Sequence, residues 1–422
     1  AFTRALGFAL TIDLDRLSSR LNKGCRFEVK QRSKLRGIRP LFDYLKREKM
    51  DHRSTENLFA VVSPGLEAVC AGEMTALGLP PQEIIAGGVV FSGKLRDIYL
   101  ANLWLRTASR ILVRFAEFKS RDFPDLYHRA HRLPWGRFIK PETSIAFRVT
   151  CHTSRLNHTV RIAETLESAA NQALGRSTNP VGKDPQMVMV RVVDDKVTIS
   201  IDSSGELLHR RGYRQSVTAA PLRETLAAGI LMLLGWQETS SLTDPMCGSG
   251  SFLLEGALLA QNHAPGLNRS FAFMNWPGFR EGLWALLSDE AKRAAKEVPL
   301  AISGSDESTR AVTAAKENCQ RNGFAEQIAI EQCALAEQAV HEGQGLVICN
   351  PPYGKRLDLG ENPERYYSEL GQQLQRAYPD RQIAMVCPSQ ALIKATGLPL
   401  KQIASLDNGG LKVGLFATEP GQ

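Results

Sequence analysis

The 422-residue chain has no apolar run approaching the roughly 18 residues that a membrane span requires. Its opening shows no apolar stretch followed by a small-residue cleavage site, so no signal peptide is read there. Eight cysteines, at 25, 70, 151, 247, 319, 333, 349 and 387, form no CxxC pair. That leaves neither a zinc-ligand pattern nor a disulfide framework. They are expected to be buried small hydrophobes in a reducing, cytoplasmic compartment. Neither a metal nor a membrane is expected as a partner.

With 43% hydrophobic and 23% charged residues the composition is that of a globular protein, and the length predicts two or three domains. The net charge of +8 is uneven. Residues 1–49 hold 13 Lys/Arg against 5 Asp/Glu, so the remainder is neutral overall. Residues 1–54 therefore read as a basic leader. Either it is an arm that touches RNA phosphates, or it is translated upstream sequence ahead of a domain that opens near Met50. The second reading is favoured because nothing in the leader carries chemistry. A second basic window, Lys94 to Arg161, carries 14 Lys/Arg against 5 Asp/Glu, with four histidines, Tyr127 and Trp135 interspersed. Lys119, Arg121, Arg155 and Arg161 belong to it, and Arg214 extends the basic character to a later turn. A cationic face with interleaved aromatics suits a polyanion; the alternative is a set of solvated helix faces.

Short strands alternate with amphipathic helices from Asn57 onward. Strands are expected at Asn57–Val62, Gly87–Phe91, Arg110–Lys119 and Ser144–Cys151, with a hairpin of Gln186–Val193 and Lys196–Asp202 around Asp194-Asp195. Helices are expected from Pro64 to Leu77, Leu95 to Ala108, Phe123 to Arg132 and His158 to Arg176. After Pro221 the alternation continues, with strands at Ser240–Asp244, Ala301–Asp306, Gln327–Glu331, Leu346–Cys349, Gln382–Cys387 and Gly410–Phe416. This predicts a doubly wound, mostly parallel sheet.

Three runs carry chemistry. In Asp244-Pro245-Met246-Cys247-Gly248-Ser249-Gly250 a strand ends in an acid and a glycine turn opens a helix. Gly248 and Gly250 allow the backbone to approach a ligand, and the lack of a following lysine excludes a P-loop. Asp306 ends the next strand, where an acid binds ribose hydroxyls in doubly wound folds. It is equally placed to cap the helix starting near Ser308, and the two roles are compatible. Asn350-Pro351-Pro352-Tyr353 follows an apolar strand. The Asn350 side-chain oxygen and the Pro351 carbonyl can accept hydrogen bonds from an NH2 group, Pro352 stiffens the loop, and Tyr353 offers a flat face for a base. Two acceptors on an exocyclic amine favour a pyramidal nitrogen with an available lone pair.

Together these runs resemble the amino-methyltransferases of the class I fold. His209-Arg210-Arg211-Gly212-Tyr213-Arg214, Ala220-Pro221-Leu222-Arg223-Glu224-Thr225-Leu226-Ala227 and Ala264-Pro265-Gly266-Leu267 narrow the resemblance to the bacterial THUMP-domain 23S ribosomal RNA guanine-N2-methyltransferases, from about residue 55 to the end. The resemblance implies an α/β protein: a ferredoxin-like region over 55–96, a THUMP RNA-binding domain over 97–208 and a Rossmann-like methyltransferase domain over 209–422. It also implies S-adenosylmethionine as donor, held by Asp244, Pro245, Met246, Cys247, Gly248, Gly250, Asp306 and Asn350. Asn350, Pro351, Pro352 and Tyr353 are the implied catalytic loop, and 23S ribosomal RNA or a ribosome-assembly intermediate is the implied partner. The chain departs from the family at Ala334, where an acid often contacts adenine; Gln332 or backbone groups are expected to serve instead. Alternatives left open are an adenine-N6 or cytosine-N4 methyltransferase and a non-catalytic RNA-binding assembly factor.

Overall fold

In Glu56–Val62 (β1) the alternating Leu58, Ala60 and Val62 are buried while their neighbours are partly exposed, the period-two pattern of a strand covered on one face. The computed structural model describes residues 55–213, 222–353 and 362–419; the basic leader and Arg214 lie outside the described residues. After β1 come Glu67–Ala76 (α1), Pro81–Ile85 (β2), Gly88–Gly93 (β3), Leu95–Trp104 (α2) and Ala108–Lys119 (β4). Phe123–His131 (α3), Ile145–His152 (β5), Thr159–Ala173 (α4), Gln186–Val193 (β6) and Lys196–Asp202 (β7) follow. All seven strands form one sheet in the order β2-β3-β1-β4-β7-β6-β5. The long β4 joins its halves, pairing antiparallel with β1 through Ala108–Val113 and with β7 through Leu112–Lys119. The β6–β7 hairpin turns on Asp194 and Asp195, both at positive φ (50° and 62°). This two-residue geometry matches strand twist and is tolerated by Asp.

One expectation changes here. The helix expected to reach Ala108 ends at Trp104, and Ala108 begins β4. The cause is Glu73: its carboxylate accepts the Arg106 N–H at 2.8 Å and the Thr107 N–H at 3.1 Å, so a strand start replaces another helical turn. The division expected between 96 and 97 falls inside α2. Strand β2 was not expected; it opens on a proline and shows no buried alternation, as an edge strand can.

The second sheet is built from Glu224–Leu233 (α5), Leu242–Asp244 (β8), Ser251–Ala260 (α6), Glu281–Ala294 (α7), Ile302–Asp306 (β9), Thr309–Arg321 (α8), Ile328–Gln332 (β10) and Leu346–Cys349 (β11), then Pro363–Ala377 (α9), Gln382–Cys387 (β12), Gln390–Ala395 (α10), Lys401–Asn408 (β13) and Leu411–Ala417 (β14). Its order is β10-β9-β8-β11-β12-β14-β13, parallel from β10 to β12 and antiparallel at β14 and β13. Strand β13 was not expected, because its residues are largely exposed and lack a buried stripe. The central β8 and β11 are buried throughout, as befits strands covered on both faces.

The two sheets are joined through buried polar groups. Arg106 donates to the carbonyls of Leu258 (3.2 Å) and His263 (2.7 Å), and Arg211 donates to the Arg106 carbonyl (2.6 Å). Arg211 and the Tyr213 hydroxyl both reach Glu255 on α6, at 3.4 and 2.7 Å. The Gly266 N–H donates to the Leu103 carbonyl at 2.9 Å. Thus the described part of His209–Arg214, and Ala264–Leu267, serve at the join between the sheets.

Candidate active site

Strands β8 and β11 lie side by side, with Leu346 opposite Leu242 and Val347 opposite Thr243. Chain order reverses between them, and such a switch point leaves a crevice beyond the carboxyl ends of the strands. Asp244 ends β8, Asp306 ends β9 and Asn350 follows β11 directly. All three line one cavity of about 660 Å³, within the range of small-molecule sites.

The glycine turn forms its floor. Gly248 (φ 55°) and Gly250 (φ 83°) occupy the left-handed region, which residues with a Cβ rarely adopt. Gly250 precedes the first residue of α6 and donates to the Cys247 carbonyl at 2.8 Å. Pro245, Met246, Cys247, Gly248 and Ser249 line the cavity, and Gly250 shapes the turn without lining it. The Asp306 carboxylate accepts from the Gly248 N–H at 2.9 Å and the Ser308 N–H at 3.0 Å. Asp306 therefore joins two loops, while its remaining lone pairs are available to hydroxyls. The cap of α8 itself is Ser308, which accepts from Ala311.

Asp244 is buried, and its carboxylate accepts from the Met246 N–H at 3.1 Å. Burial, with Asp306 adding to it, pushes its carboxyl up to about 8. Burial also pushes the Cys247 thiol well up, with Asp244 adding to it, so this cysteine is a neutral wall of the cavity. Among the described residues, the Oδ1 of Asn350 and the Oγ of Ser249 are buried without hydrogen-bond partners. Unsatisfied buried polar atoms are costly and rare, and these two stand at the wall of one cavity.

The Asn350–Tyr353 loop divides. Asn350 and Pro352 line the cavity, whereas Pro351 and Tyr353 are buried and do not. Tyr353 was expected to offer an open face; it is 5% exposed and packs in the main hydrophobic core. Its apolar ring is covered by neighbouring core residues, so it backs the loop. Gln332 is exposed, donates to the Glu307 carbonyl at 3.2 Å and does not line the cavity. Ala334, Leu335 and Ala336 do. Residues missed by the sequence reading are Tyr366, Glu369 and Gln373 on α9, which form part of the wall with Leu370. Their helical spacing is the signal that could have found them, but nothing in it says which cavity the helix faces.

The basic residues gather at one end of the first sheet. Lys119 closes β4 opposite Lys196, and the Arg121 guanidinium pairs with Asp195 at 2.9 Å. The Arg155 N–H donates to the same carboxylate at 2.8 Å, and the Arg161 guanidinium lies 4.2 Å from the Phe123 ring centre. All four side chains belong to exposed residues. Trp135, expected among the surface aromatics, is 1% exposed, and its indole N–H donates to the Ala130 carbonyl. Its size and satisfied donor make it a core residue.

A five-stranded parallel sheet with an antiparallel pair at one edge, a glycine turn, and acids ending adjacent strands define a Rossmann-like methyltransferase domain carried behind an α+β platform. Family models match in three stretches: the RlmL ferredoxin-like domain over residues 57–112, the THUMP domain over 120–202 and the RMKL-like methyltransferase domain over 211–413. A protein of Synechocystis sp. named as an RNA methyltransferase is 33% identical over 87% of this chain and 97% of its own length. The ribosomal RNA large subunit methyltransferase K/L of Cellvibrio japonicus is 35% identical over 83% of this chain and 49% of its own, so the chain spans about half of that relative. Among solved structures, SMU.472, described as a methyltransferase and complexed with SAH, superposes with a TM-score of 0.79 at 31% identity, over 88% of this chain and 99% of that one. The chain belongs to the RMKL-like methyltransferase family with ferredoxin-like and THUMP domains.

Proposed function

We propose that the protein transfers a methyl group from S-adenosylmethionine to the exocyclic N2 of a guanine in 23S ribosomal RNA, free or within a ribosome-assembly intermediate. The observation that carries this reading is the Asn350 Oδ1, without a partner among the described residues, at the wall of the cavity that Gly248 and Asp306 also line. The family, the SAH in SMU.472 and the name of the Cellvibrio relative support donor and substrate class.

The donor supplies an electrophilic methyl on a sulfonium sulfur. The Gly248–Gly250 turn fits it because it lets backbone approach closely, Asp306 retains acceptor capacity for ribose hydroxyls, and Ser249 offers an unsatisfied hydroxyl. A guanine flipped from its stack places its N2 at Asn350. The Asn350 Oδ1 and the Pro351 carbonyl accept the two N–H bonds, which turns the nitrogen lone pair toward the methyl. The new N–C bond forms as the S–C bond breaks, and the cationic product amine loses a proton to solvent without a strong base. Holding both reactants at attack distance supplies about 7–11 kcal/mol of the barrier. Lys119, Arg121, Arg155 and Arg161 dock RNA phosphates on the THUMP side.

Incubation with 23S RNA and nucleoside mass spectrometry tests the reading. N2-methylguanosine is the expected product, absent from the same RNA position in a strain lacking the gene. N6-methyladenosine or N4-methylcytidine would replace the guanine assignment, and a protein that binds no donor would be an assembly factor.

A further inference from the structure

The loop after β11 has an unusual anchoring problem. Pro351 and Pro352 carry no backbone N–H, so at these two residues the main chain can be tied to its surroundings only through its carbonyls. The Tyr367 hydroxyl of α9 donates to the Pro352 carbonyl at 3.4 Å. Tyr367 is wholly buried, and the Cys387 Sγ, at the end of β12, lies 3.6 Å from the same hydroxyl. Cys387 is itself fixed: the Ser389 N–H donates to its sulfur at 3.5 Å. A continuous chain of interactions therefore runs from the end of β12 through the phenol to the loop that bears Asn350. Tyr366, its neighbour, lines the cavity while Tyr367 does not.

We propose that Tyr367 is a positioning residue for methyl transfer: its hydroxyl holds the Pro352 carbonyl and thereby fixes where Asn350 presents its acceptor. The proposal rests on the methyltransferase reading above for its kinetic consequence, and on geometry alone for the brace. Tyr367 touches neither donor nor base. A displacement of the loop of about 1 Å is enough to cost roughly 100-fold in rate, whereas the donor's sites on the Gly248 turn and Asp306 are untouched.

Tyr367→Phe keeps the ring and removes the hydroxyl. The expected result is a kcat lower by about 10- to 100-fold, an unchanged Kd for S-adenosylhomocysteine, and faster amide exchange at Asn350 and Tyr353. Cys387→Ser keeps a hydrogen-bonding group beside the phenol and is expected to retain kcat, while Cys387→Ala loses part of it. Should Tyr367→Phe not fold, the Cys387 pair and its exchange rates decide the matter. Exchange at Asn350 and Tyr353 unchanged in the variants, or kcat within about twofold of the parent, overturns the brace. A parent protein that methylates nothing while the variants still loosen the loop overturns the functional reading and leaves the brace standing.

Discussion

The Gly248 N–H donates to the Asp306 carboxylate at 2.9 Å, which ties the turn after β8 to the end of β9. The same carboxylate accepts from Ser308 at 3.0 Å. Asp306→Ala removes both bonds and the acceptors proposed for the ribose hydroxyls. With a charged hydrogen bond contributing about 1.5–3 kcal/mol, Kd for S-adenosylhomocysteine should rise at least about tenfold. Calorimetry reads this directly, and an unchanged Kd would remove Asp306 from the donor site.

Asn350→Ala separates chemistry from binding. Transfer should fall by at least about 100-fold, the usual loss when a group that acts in the transition state is removed. The Asn350 Oδ1 has no partner among the described residues, so its removal breaks no bond with them, and Tm should hold or rise. Single-turnover kinetics beside a thermal melt checks both; parental turnover would sink the proposed mechanism.

Asp244 predicts a pH dependence. Burial raises its carboxyl from 3.8 to about 8, so between these values the folded protein keeps a proton that the unfolded chain releases. The unfolded state binds fewer protons there, and the ligand-free protein should lose stability as pH rises from about 4 to about 8. A cationic donor favours the ionised carboxylate, so its binding should strengthen as pH rises toward and through about 8, with proton release. Asp244→Asn should flatten both profiles. Melts across pH, and calorimetry in buffers of different ionisation enthalpy, are the measurements.

The basic face is not uniform. Arg121 is paired with Asp195, whereas Arg161 stacks on Phe123. Replacing Arg155 and Arg161 by Ala should lower the slope of log K against log salt by roughly 0.7–0.9 for each phosphate that is no longer neutralised. Arg121→Ala should lower the slope less, because its guanidinium is already engaged by the Asp195 carboxylate. Filter binding across a salt series distinguishes these outcomes.

Gly266→Ala tests the join between the sheets. A Cβ there would stand 2.7 Å from the Asn102 carbonyl oxygen and 2.8 Å from the Leu103 Cα, both backbone. Overpacking of this kind costs about 1–3 kcal/mol, visible as a lowered Tm. An unaffected melt would show that the join yields easily.

The chemistry-bearing runs and the alternation that yields the second sheet are legible in the residues themselves, because a strand ending in an acid before a glycine turn and an apolar strand before Asn-Pro-Pro-Tyr are local patterns. Leu346–Cys349, Gln382–Cys387 and the Asp194-Asp195 hairpin were legible for the same reason: buried runs and turn chemistry are written in neighbouring residues. Tertiary structure alone decided where α2 stops, since Glu73 takes the N–H groups of residues more than thirty positions away. It also decided that Tyr353 and Trp135 are core rather than surface, and that α9 walls the cavity and braces its loop through Tyr367. Which side of a ring is covered depends on packing between distant segments, and periodicity cannot report that.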